Sequence, residues 1–301
     1  MMSSVSTKLI VCLIISSFSA FSQENWGFGP FVKPNENPIA GPDSTFIFFC
    51  PEKKQLVQRQ KADVFNPAAI VRDGKVYLFP RCEDNPEAII GGRTSRIGIA
   101  VSEDGIHFKK FPEPVLYPGN DSLNIYDTTG GCEDPRIVET PEGGYVMTFT
   151  AWNMKVPNLS VAFSKDLFHW QKRGPAFAKT YNGRYLNNWS KSGSIITRMV
   201  NDRLIAAKIN GKNATDGTGT TDLPKGTYSV GEALFDLTDP SKLTGRKDKC
   251  VLKPTLPHEV SGQYKSGDTF SEGLVFFKKK WFLYYGTADS FIGLAISENH
   301  D

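Results

Sequence analysis

Acidic and basic side chains recur at the starts of apolar, strand-like segments. The segment starts read Asn66-Pro67-Ala68, Glu133-Asp134-Pro135-Arg136, Lys191-Ser192-Gly193 and Ser271-Glu272-Gly273. Glycoside hydrolysis requires one carboxyl group that protonates the leaving oxygen and a second carboxylate opposite it. A solvated turn is the ordinary role of a single acid at such a place. Two acids at equivalent places, with Arg136 and Lys191 nearby, predict a site for sugar chemistry.

Aromatic side chains close to the same segment ends supply flat apolar surfaces. They are Tyr126, Trp152, Trp189 and Tyr285. Such rings stack on the apolar faces of sugars, and they also fill protein cores. We therefore expect a stacking role for part of this set and core packing for the rest.

An internal repeat indicates which elements position these residues. The segment AVSEDGIHF at 100–108 recurs as AFSKDLFHW at 162–170, an offset of 62 residues. Each is preceded by a second shared pattern, an apolar run, a turn and an alternating strand. Copies of this pattern occupy 68–79, 136–149, 194–207 and 273–285. Self-similarity at a fixed period is typical of repeat architectures.

Each repeat reads as four antiparallel strands, since Asp73-Gly74 and Gly143-Gly144 are hairpin signals. The sequence therefore predicts an all-β fold of the β-propeller type, and a β-sandwich with coincidental similarity is the alternative. The last repeat stops at 295–298 without its outermost strand. We expect an N-terminal strand, at 44–49, to complete that sheet and cover its edge.

Composition excludes several classes of protein. The 301 residues are 40% hydrophobic and 12% aromatic, too apolar for a disordered chain. The net charge of +3 comes from nearly balanced acids and bases, so no nucleic-acid partner is predicted. The five cysteines form no CxxC pair, so the sequence predicts no zinc site, no other metal site and no cofactor. It is compatible with a monomer and with a homo-oligomer.

The N-terminus has the pattern of a secretory signal. Lys8 precedes an apolar run from Leu9 to Phe21, which is short for a membrane span, and small residues follow. We expect residues 1–22 to be a signal peptide cleaved near Ser22, and residues 23–301 to be a single propeller domain. The expected location is secreted or periplasmic, with no membrane span.

Four segments in the same order resemble glycoside hydrolase family 130. They are FNPAAIV at 65–71, SRIGIAVSEDGIHF at 95–108, GGCEDPRI at 130–137 and SEGLVFFKKKWFLYYGTAD at 271–289. The resemblance implies a five-bladed β-propeller that acts on β-mannosides, by phosphorolysis or by hydrolysis, with inversion. The implied partner is a mannose-containing oligosaccharide.

The resemblance also implies roles for individual residues. Asp134 corresponds to the general acid, and Glu272 corresponds to one of two glutamates that activate water in the hydrolytic members. The positions matching those that hold the mannose ring are Asn66, Arg81, Asp84, Arg96, Arg136 and Asp289. From the residues themselves we add Trp152, Lys191 and Tyr285 as substrate-binding candidates. For these roles Asp134 needs a raised pKa, and Glu272 should remain ionised.

The chain departs from the family pattern in length. It shows four repeats where the resemblance implies five blades, and about one blade, roughly 60 residues, is missing near 210–213, after Lys212. The missing part would carry the other water-activating glutamate, and Glu232 lies in an outer-strand segment that makes it a poor substitute. The sequence therefore predicts an exported inverting hydrolase of β-1,2-linked mannosides whose hydrolysis is impaired.

Three other functions remain open on the sequence. A β-mannoside phosphorylase would use Arg136 and Lys191 to bind phosphate. A second five-bladed glycosidase, acting on arabinosides or xylosides, would need three carboxylates in the channel. A non-catalytic sugar-binding propeller would keep Arg81 and Arg96 but lack the base.

Overall fold

The computed structural model describes residues 27–88, 92–195 and 204–298, and for 204–206 it describes the backbone alone. The predicted signal peptide, residues 1–22, lies outside the described residues. The first element is a hairpin of β1 (Ile47–Cys50) and β2 (Gln55–Gln58).

The next two repeats form two blades of antiparallel strands. The first blade comprises β3 (Asp63–Arg72), β4 (Lys75–Glu83), β5 (Ser95–Ile97), β6 (Ala100–Ser102) and β7 (Lys109–Lys110). A helical turn, α1 (Asn124–Asp127), leads to the second blade, which comprises β8 (Gly131–Glu139), β9 (Tyr145–Trp152), β10 (Pro157–Ser164) and β11 (Trp170–Pro175). One parallel pair, Ser95 with Gly131, joins β5 to β8 and makes the two blades one continuous sheet.

Two further sheets follow. The third blade comprises β12 (Leu204–Lys212), β13 (Tyr228–Asp236) and β14 (Leu243–Arg246), and the fourth comprises β15 (Thr269–Phe277), β16 (Lys280–Thr287) and β17 (Phe291–Ser297). Short 3₁₀ helices occupy Thr180–Gly183 and Pro257–Glu259. Residues 210–212 continue β12 in unbroken register with β13. The flanks of the predicted deletion therefore form one regular hairpin.

Apolar contacts join neighbouring blades face to face. Ala68 and Phe79 of the first blade pack with Met147 of the second. Val76 and Leu78 pack with residues of the fourth. Residues of the third and fourth blades form two further clusters. Within the described ranges, no buried apolar cluster joins the second and third blades. Between β8 and β12 there is instead a cavity of about 680 Å³. The described residues thus form the predicted propeller fold with four blades, and among them neither strand pairing nor an apolar cluster joins the second blade to the third.

An N-terminal segment completes the fourth blade, although it is not the predicted one. Val32 pairs with Ile296 and Ala40 with Ile292, so residues 32–40 lie along β17. The Asn37 side chain fastens this segment to the backbone of Leu294 at 2.8 and 2.7 Å. The expectation that residues 44–49 fill this place is wrong, because residues 47–50 form β1 and pair with β2.

The repeated Ser-x-Asp-x-x-His segments fold into the same turn. Asp104 Oδ2 lies 2.8 Å from His107 Nδ1, and Asp166 Oδ2 lies 2.7 Å from His169 Nδ1. In both copies a carboxylate oxygen also accepts backbone N–H groups of the turn. The repeat in the sequence therefore marks equivalent positions in the first and second blades.

Candidate active site

The innermost strands of three blades carry a β-bulge at the equivalent place. The ladder shifts register between Phe65 and Ala68 in β3, between Glu133 and Arg136 in β8, and between Ser271 and Gly273 in β15. Pro67 and Pro135 have no N–H group for the ladder, so the sequence itself favours a break at two of these places. Bulges redirect side chains and are common beside active sites.

The bulges leave Asn66, Asp134 and Glu272 outside regular pairing. Asn66 and Asp134 have φ angles of 46° and 48°, a strained region for residues other than glycine. A methyl group at Gly286 would overlap the Asn66 side chain. The glycine after Tyr285 therefore makes room for Asn66.

Asn66 and Asp134 line a cavity of about 290 Å³. The other predicted residues that line it are Arg81, Lys191 and Asp289. Side chains that the sequence reasoning did not select also line it: Phe65, Glu83, Ser192, Tyr228, Gln263, Tyr264, Asp268 and Phe270. The structure thus brings together five of the eleven predicted site residues in this cavity.

The Asp134 carboxylate lies at the centre of a positive environment. Asn66 Nδ2 donates to Oδ1 at 2.9 Å, Arg81 Nη1 donates to the same oxygen at 3.1 Å, and Lys191 Nζ lies 3.9 Å from Oδ2. Burial works to raise the pKa of Asp134, but Arg81, Lys191 and Asn66 outweigh it and lower the pKa to about 2. The expected raised pKa is therefore wrong for the unliganded protein, in which Asp134 is ionised.

The neighbouring Glu133 holds the proton that Asp134 lacks. Arg81 Nη2 donates to Glu133 Oε1 at 2.9 Å, so both carboxyl groups share one guanidinium group. Burial raises the pKa of Glu133 to about 7, Arg81 opposes the shift, and Asp134 adds to it. The pair therefore holds one proton near neutrality. In the sequence, only its position directly before Asp134 distinguishes Glu133.

Arg81 contacts several carboxyl groups of the site at once. It is buried, and its Nη2 and Nε also donate to Glu83 Oε1 at 2.7 Å and to Ser95 Oγ at 3.0 Å. Arg93 Nη1 donates to the other oxygen of Glu83 at 3.3 Å. Hydrogen bonds to charged groups of this kind are stronger than neutral ones. Glu83 thus fixes the orientation of Arg81, which in turn positions Asp134.

Two further aspartates face the same cavity. Burial and Asp134 raise the pKa of Asp289 to about 6, against the effect of Arg81. Burial, Asp289, Glu272 and Asp134 raise the pKa of Asp268 well above its usual range. Asp268 lies four residues before Glu272, but no strand start or motif in the sequence distinguished it.

Glu272 lies outside that cavity. It lines the 680 Å³ cavity between β8 and β12, together with Arg136, and the two cavities adjoin at Ser192 and Phe270. Arg136 Nη1 lies 2.8 Å from Glu272 Oε2, although among the described residues neither carboxylate oxygen has a well-aligned hydrogen bond. Burial raises the pKa of Glu272 to about 8, and Arg136 opposes this without overcoming it. The expectation that Glu272 is ionised at neutral pH is therefore wrong for the unliganded protein.

This shift predicts a pH-dependent stability. Because the pKa of Glu272 rises from 4.5 to about 8 on folding, the native state binds the extra proton, and stability falls as the pH rises through this interval. We expect Glu272→Gln to be more stable than wild type by roughly 4 kcal/mol at pH 8 and nearly equal to it near pH 4.5. Urea unfolding at both pH values measures this, with Glu139→Gln at the exposed end of β8 as the control. A Glu272→Gln variant that is less stable at pH 8 would contradict the assignment.

Three predicted site residues are buried away from the cavity that contains Asp134. They are Arg96, Asp84 and Tyr285. Arg96 is fully buried; its Nη1 donates to Asp84 Oδ2 at 3.0 Å, and its guanidinium group lies over the Phe48 ring. Lys53 of the β1–β2 loop also pairs with Asp84, at 2.8 Å. Arg96 and Asp84 therefore anchor the β1–β2 hairpin and do not line the cavity that contains Asp134.

Tyr285 is a core residue and not a stacking surface. Its side chain has no exposed area, packs with Val230 and Leu283, and donates a hydrogen bond to Glu259 Oε1 at 2.8 Å. Both faces of β16 are covered, one by the first blade and one by the third. The prediction that Tyr285 binds substrate is therefore wrong.

Trp152 is half-buried at the end of β9, opposite Gly131 of β8. Its ring is 6.4 Å from that of Trp189, which is 72% exposed and lies two residues before Lys191. Neither ring lines the cavity that contains Asp134.

The described residues contain no cluster of three or more side chains suited to hold a metal ion. In the same part of the chain, no helix is both long and apolar enough to cross a membrane. Cys50, Cys82 and Cys132 are buried free thiols.

Comparisons with known proteins agree with this geometry. Residues 35–214 match the glycoside hydrolase family 130 model, described as β-1,4-mannooligosaccharide phosphorylase. The 1,2-β-oligomannan phosphorylase of Thermoanaerobacter sp. (strain X514) is 31% identical over 279 residues, covering 80% of this chain and 92% of that protein. That alignment is longer than the part of this chain that it covers, so the relative has residues where this chain has none.

Two solved structures have a similar fold. A glycosyl hydrolase from Bacteroides ovatus is 37% identical, with a TM-score of 0.85, and the match covers 90% of this chain and 94% of the other. A structure from work on family 130 hydrolases that target β-1,2 mannosidic linkages in Candida mannan has the same identity and coverage and a TM-score of 0.86. The family match over more than half of the sequence and the bulged strands that hold Asp134 lead to one conclusion: the chain belongs to glycoside hydrolase family 130.

Proposed function

We propose that this chain binds β-1,2-linked mannosides in the cavity that contains Asp134 and hydrolyses them slowly, with inversion. The observation that carries the proposal is the arrangement of Asn66, Arg81 and Lys191 around a buried Asp134. The cavity volume of about 290 Å³ is at the lower end of small-molecule sites, which suits a single sugar unit. The names of the relatives support mannosides as the substrate class.

The Glu133–Asp134 pair supplies the proton in this proposal. Near neutrality Glu133 holds the proton and Asp134 is ionised; in this proposal the proton passes to Asp134 when the sugar is bound, and Asp134 transfers it to the leaving oxygen. Protonation of the leaving oxygen requires an acid whose pKa is near the working pH, and the pair as a unit meets that requirement.

The activation of water is the weak step. Glu272 faces the adjoining cavity, and burial raises its pKa to about 8, so it is a poor base near neutrality. The relatives contain residues that this chain lacks, as expected if a segment near 210–213 has been lost. In this proposal the lost segment contained the second glutamate. Sugar binding is thus retained, and turnover is impaired.

Export supports hydrolysis over phosphorolysis. We propose that residues 1–22 direct the chain out of the cytoplasm. A sugar phosphate formed outside the cytoplasm would be lost to metabolism. Phosphorolysis is the second candidate, because Arg136 and Lys208 line the cavity beside Glu272 and provide positive charge.

The test is incubation of the purified chain with β-1,2-mannobiose, with and without inorganic phosphate. We expect slow release of mannose that phosphate does not accelerate, with α-mannose as the first anomer seen by NMR. Formation of mannose 1-phosphate would establish the second candidate. Binding by calorimetry without either product would identify a sugar-binding protein, and β-1,4-mannobiose is the control for linkage.

A further inference from the structure

The carboxyl group of Asp268 faces the cavity that contains Asp134, with one oxygen unused. The residue is 2% exposed, and among the described residues Oδ1 has no hydrogen-bond partner. The backbone N–H of Asp289 donates to the same carboxyl group. A buried polar atom without a partner costs free energy unless a ligand or water completes it. The free oxygen and the cavity beside it together indicate a ligand contact.

The position of Asp268 is fixed by neighbouring elements and not by a mobile loop. Its backbone N–H donates to Glu259 O at 2.9 Å, and the Tyr228 N–H donates to Gly267 O at 3.0 Å. Gly267 has a φ of 93°, which a side chain would strain. β13 and the 3₁₀ helix at Pro257–Glu259 therefore fix the position of Asp268, directly before the start of β15.

The charged groups around Asp268 determine its protonation state. Asp289 follows β16, Glu272 lies on β15 and Asp134 on β8, and all three raise its pKa together with burial. The other titratable or charged groups that line the cavity are Glu83 and Arg81 on β4, Lys191, Tyr228 and Tyr264. Burial and these carboxyl groups therefore favour the protonated form of Asp268, and a protonated carboxyl group can donate a hydrogen bond.

We propose that Asp268 is a specificity-determining residue, whose unused carboxyl oxygen forms a hydrogen bond with one hydroxyl of the bound sugar while Asp289 accepts one from the adjacent hydroxyl. This assignment rests on the proposed function, since it takes the ligand to be a mannoside. A donor and an acceptor side by side distinguish the arrangement of two neighbouring hydroxyl groups. Ionised carboxylates alone accept hydrogen bonds and do not donate them.

Calorimetry with β-1,2-mannobiose on wild type, Asp268→Asn and Asp268→Ala tests this role. Asparagine keeps a donor, so its Kd should stay within about 3-fold of wild type, whereas alanine removes it and should weaken binding by about 10-fold or more. Asp222→Ala, an exposed aspartate of the 213–226 loop, is the control. Thermal unfolding of each variant separates lost binding from lost folding.

The pH profile supplies the readout that a purely structural role would not change. As the pH is raised, wild type should lose affinity relative to Asp268→Asn, because only wild type can lose this donor by ionising. Wild-type affinity in Asp268→Ala, or equal weakening in both variants with parallel pH profiles, would overturn the assignment. If wild type itself binds no mannoside, the proposed function fails, and this role fails with it.

Discussion

Asp134→Asn is expected to lower the rate of β-1,2-mannobiose hydrolysis by ~10²–10⁴-fold, the usual contribution of a general acid. The asparagine side chain has nearly the same shape, and it can still contact Asn66 and Arg81. It cannot transfer a proton to the leaving oxygen. Binding of mannobiose should therefore change far less than turnover, and comparing calorimetry with the release of mannose separates the two effects.

A substrate with an activated leaving group makes this test specific for acid catalysis. A dinitrophenyl β-mannoside needs little protonation of its leaving oxygen, so the rate loss in Asp134→Asn should be much smaller with it than with mannobiose. Glu139→Gln, which changes a carboxylate at the exposed end of β8, should leave both rates unchanged. Equal rate losses on both substrates would show that Asp134 acts by binding alone.

Arg81→Met is expected to lower the free energy of unfolding by about 3–5 kcal/mol, since it leaves buried carboxylates without their counter-charge. Glu83, Glu133 and Asp134 all contact this guanidinium group. Urea unfolding at pH 7 measures the loss. The difference should narrow as the pH falls, because protonation of the carboxylates removes the uncompensated charge.

Arg81→Lys and Arg246→Met are the controls for this prediction. Lysine keeps the positive charge but cannot contact three carboxyl groups in one plane, so an intermediate stability is expected. Arg246 is exposed on β14, and its replacement should cost little. An Arg81→Met protein as stable as wild type would show that the carboxyl groups are protonated or hydrated without the arginine.

The places of the active-site bulges were predictable from the sequence, and the protonation states were not. Asn66-Pro67 and Asp134-Pro135 mark breaks in the strand ladder because proline lacks a donor. The pKa values of Asp134 and Glu272 depend on groups brought together from three blades and from the segment that contains Lys191. The sequence around each acid does not show which of these distant groups will lie next to it in the fold.

The residues assigned wrongly fail for a related reason. Successive side chains of a strand point to opposite faces, and the face that carries Tyr285 is exposed only if no neighbouring blade covers it. The third blade does cover it. Arg96 is likewise hidden by the β1–β2 hairpin, which comes from about 45 residues earlier in the sequence. Asp268 was missed because its importance comes from a cavity and not from a motif.

The pairing of residues 32–40 with β17 bears on the order of folding. Val32 and Ile296 are distant in sequence, so forming this pair closes a very long loop at an entropic cost. The fourth sheet cannot be completed until β17 has been synthesised. This raises the contact order of the chain, and high contact order is associated with slow folding. The native pairing of residues 32–40 therefore forms only after β17 is available.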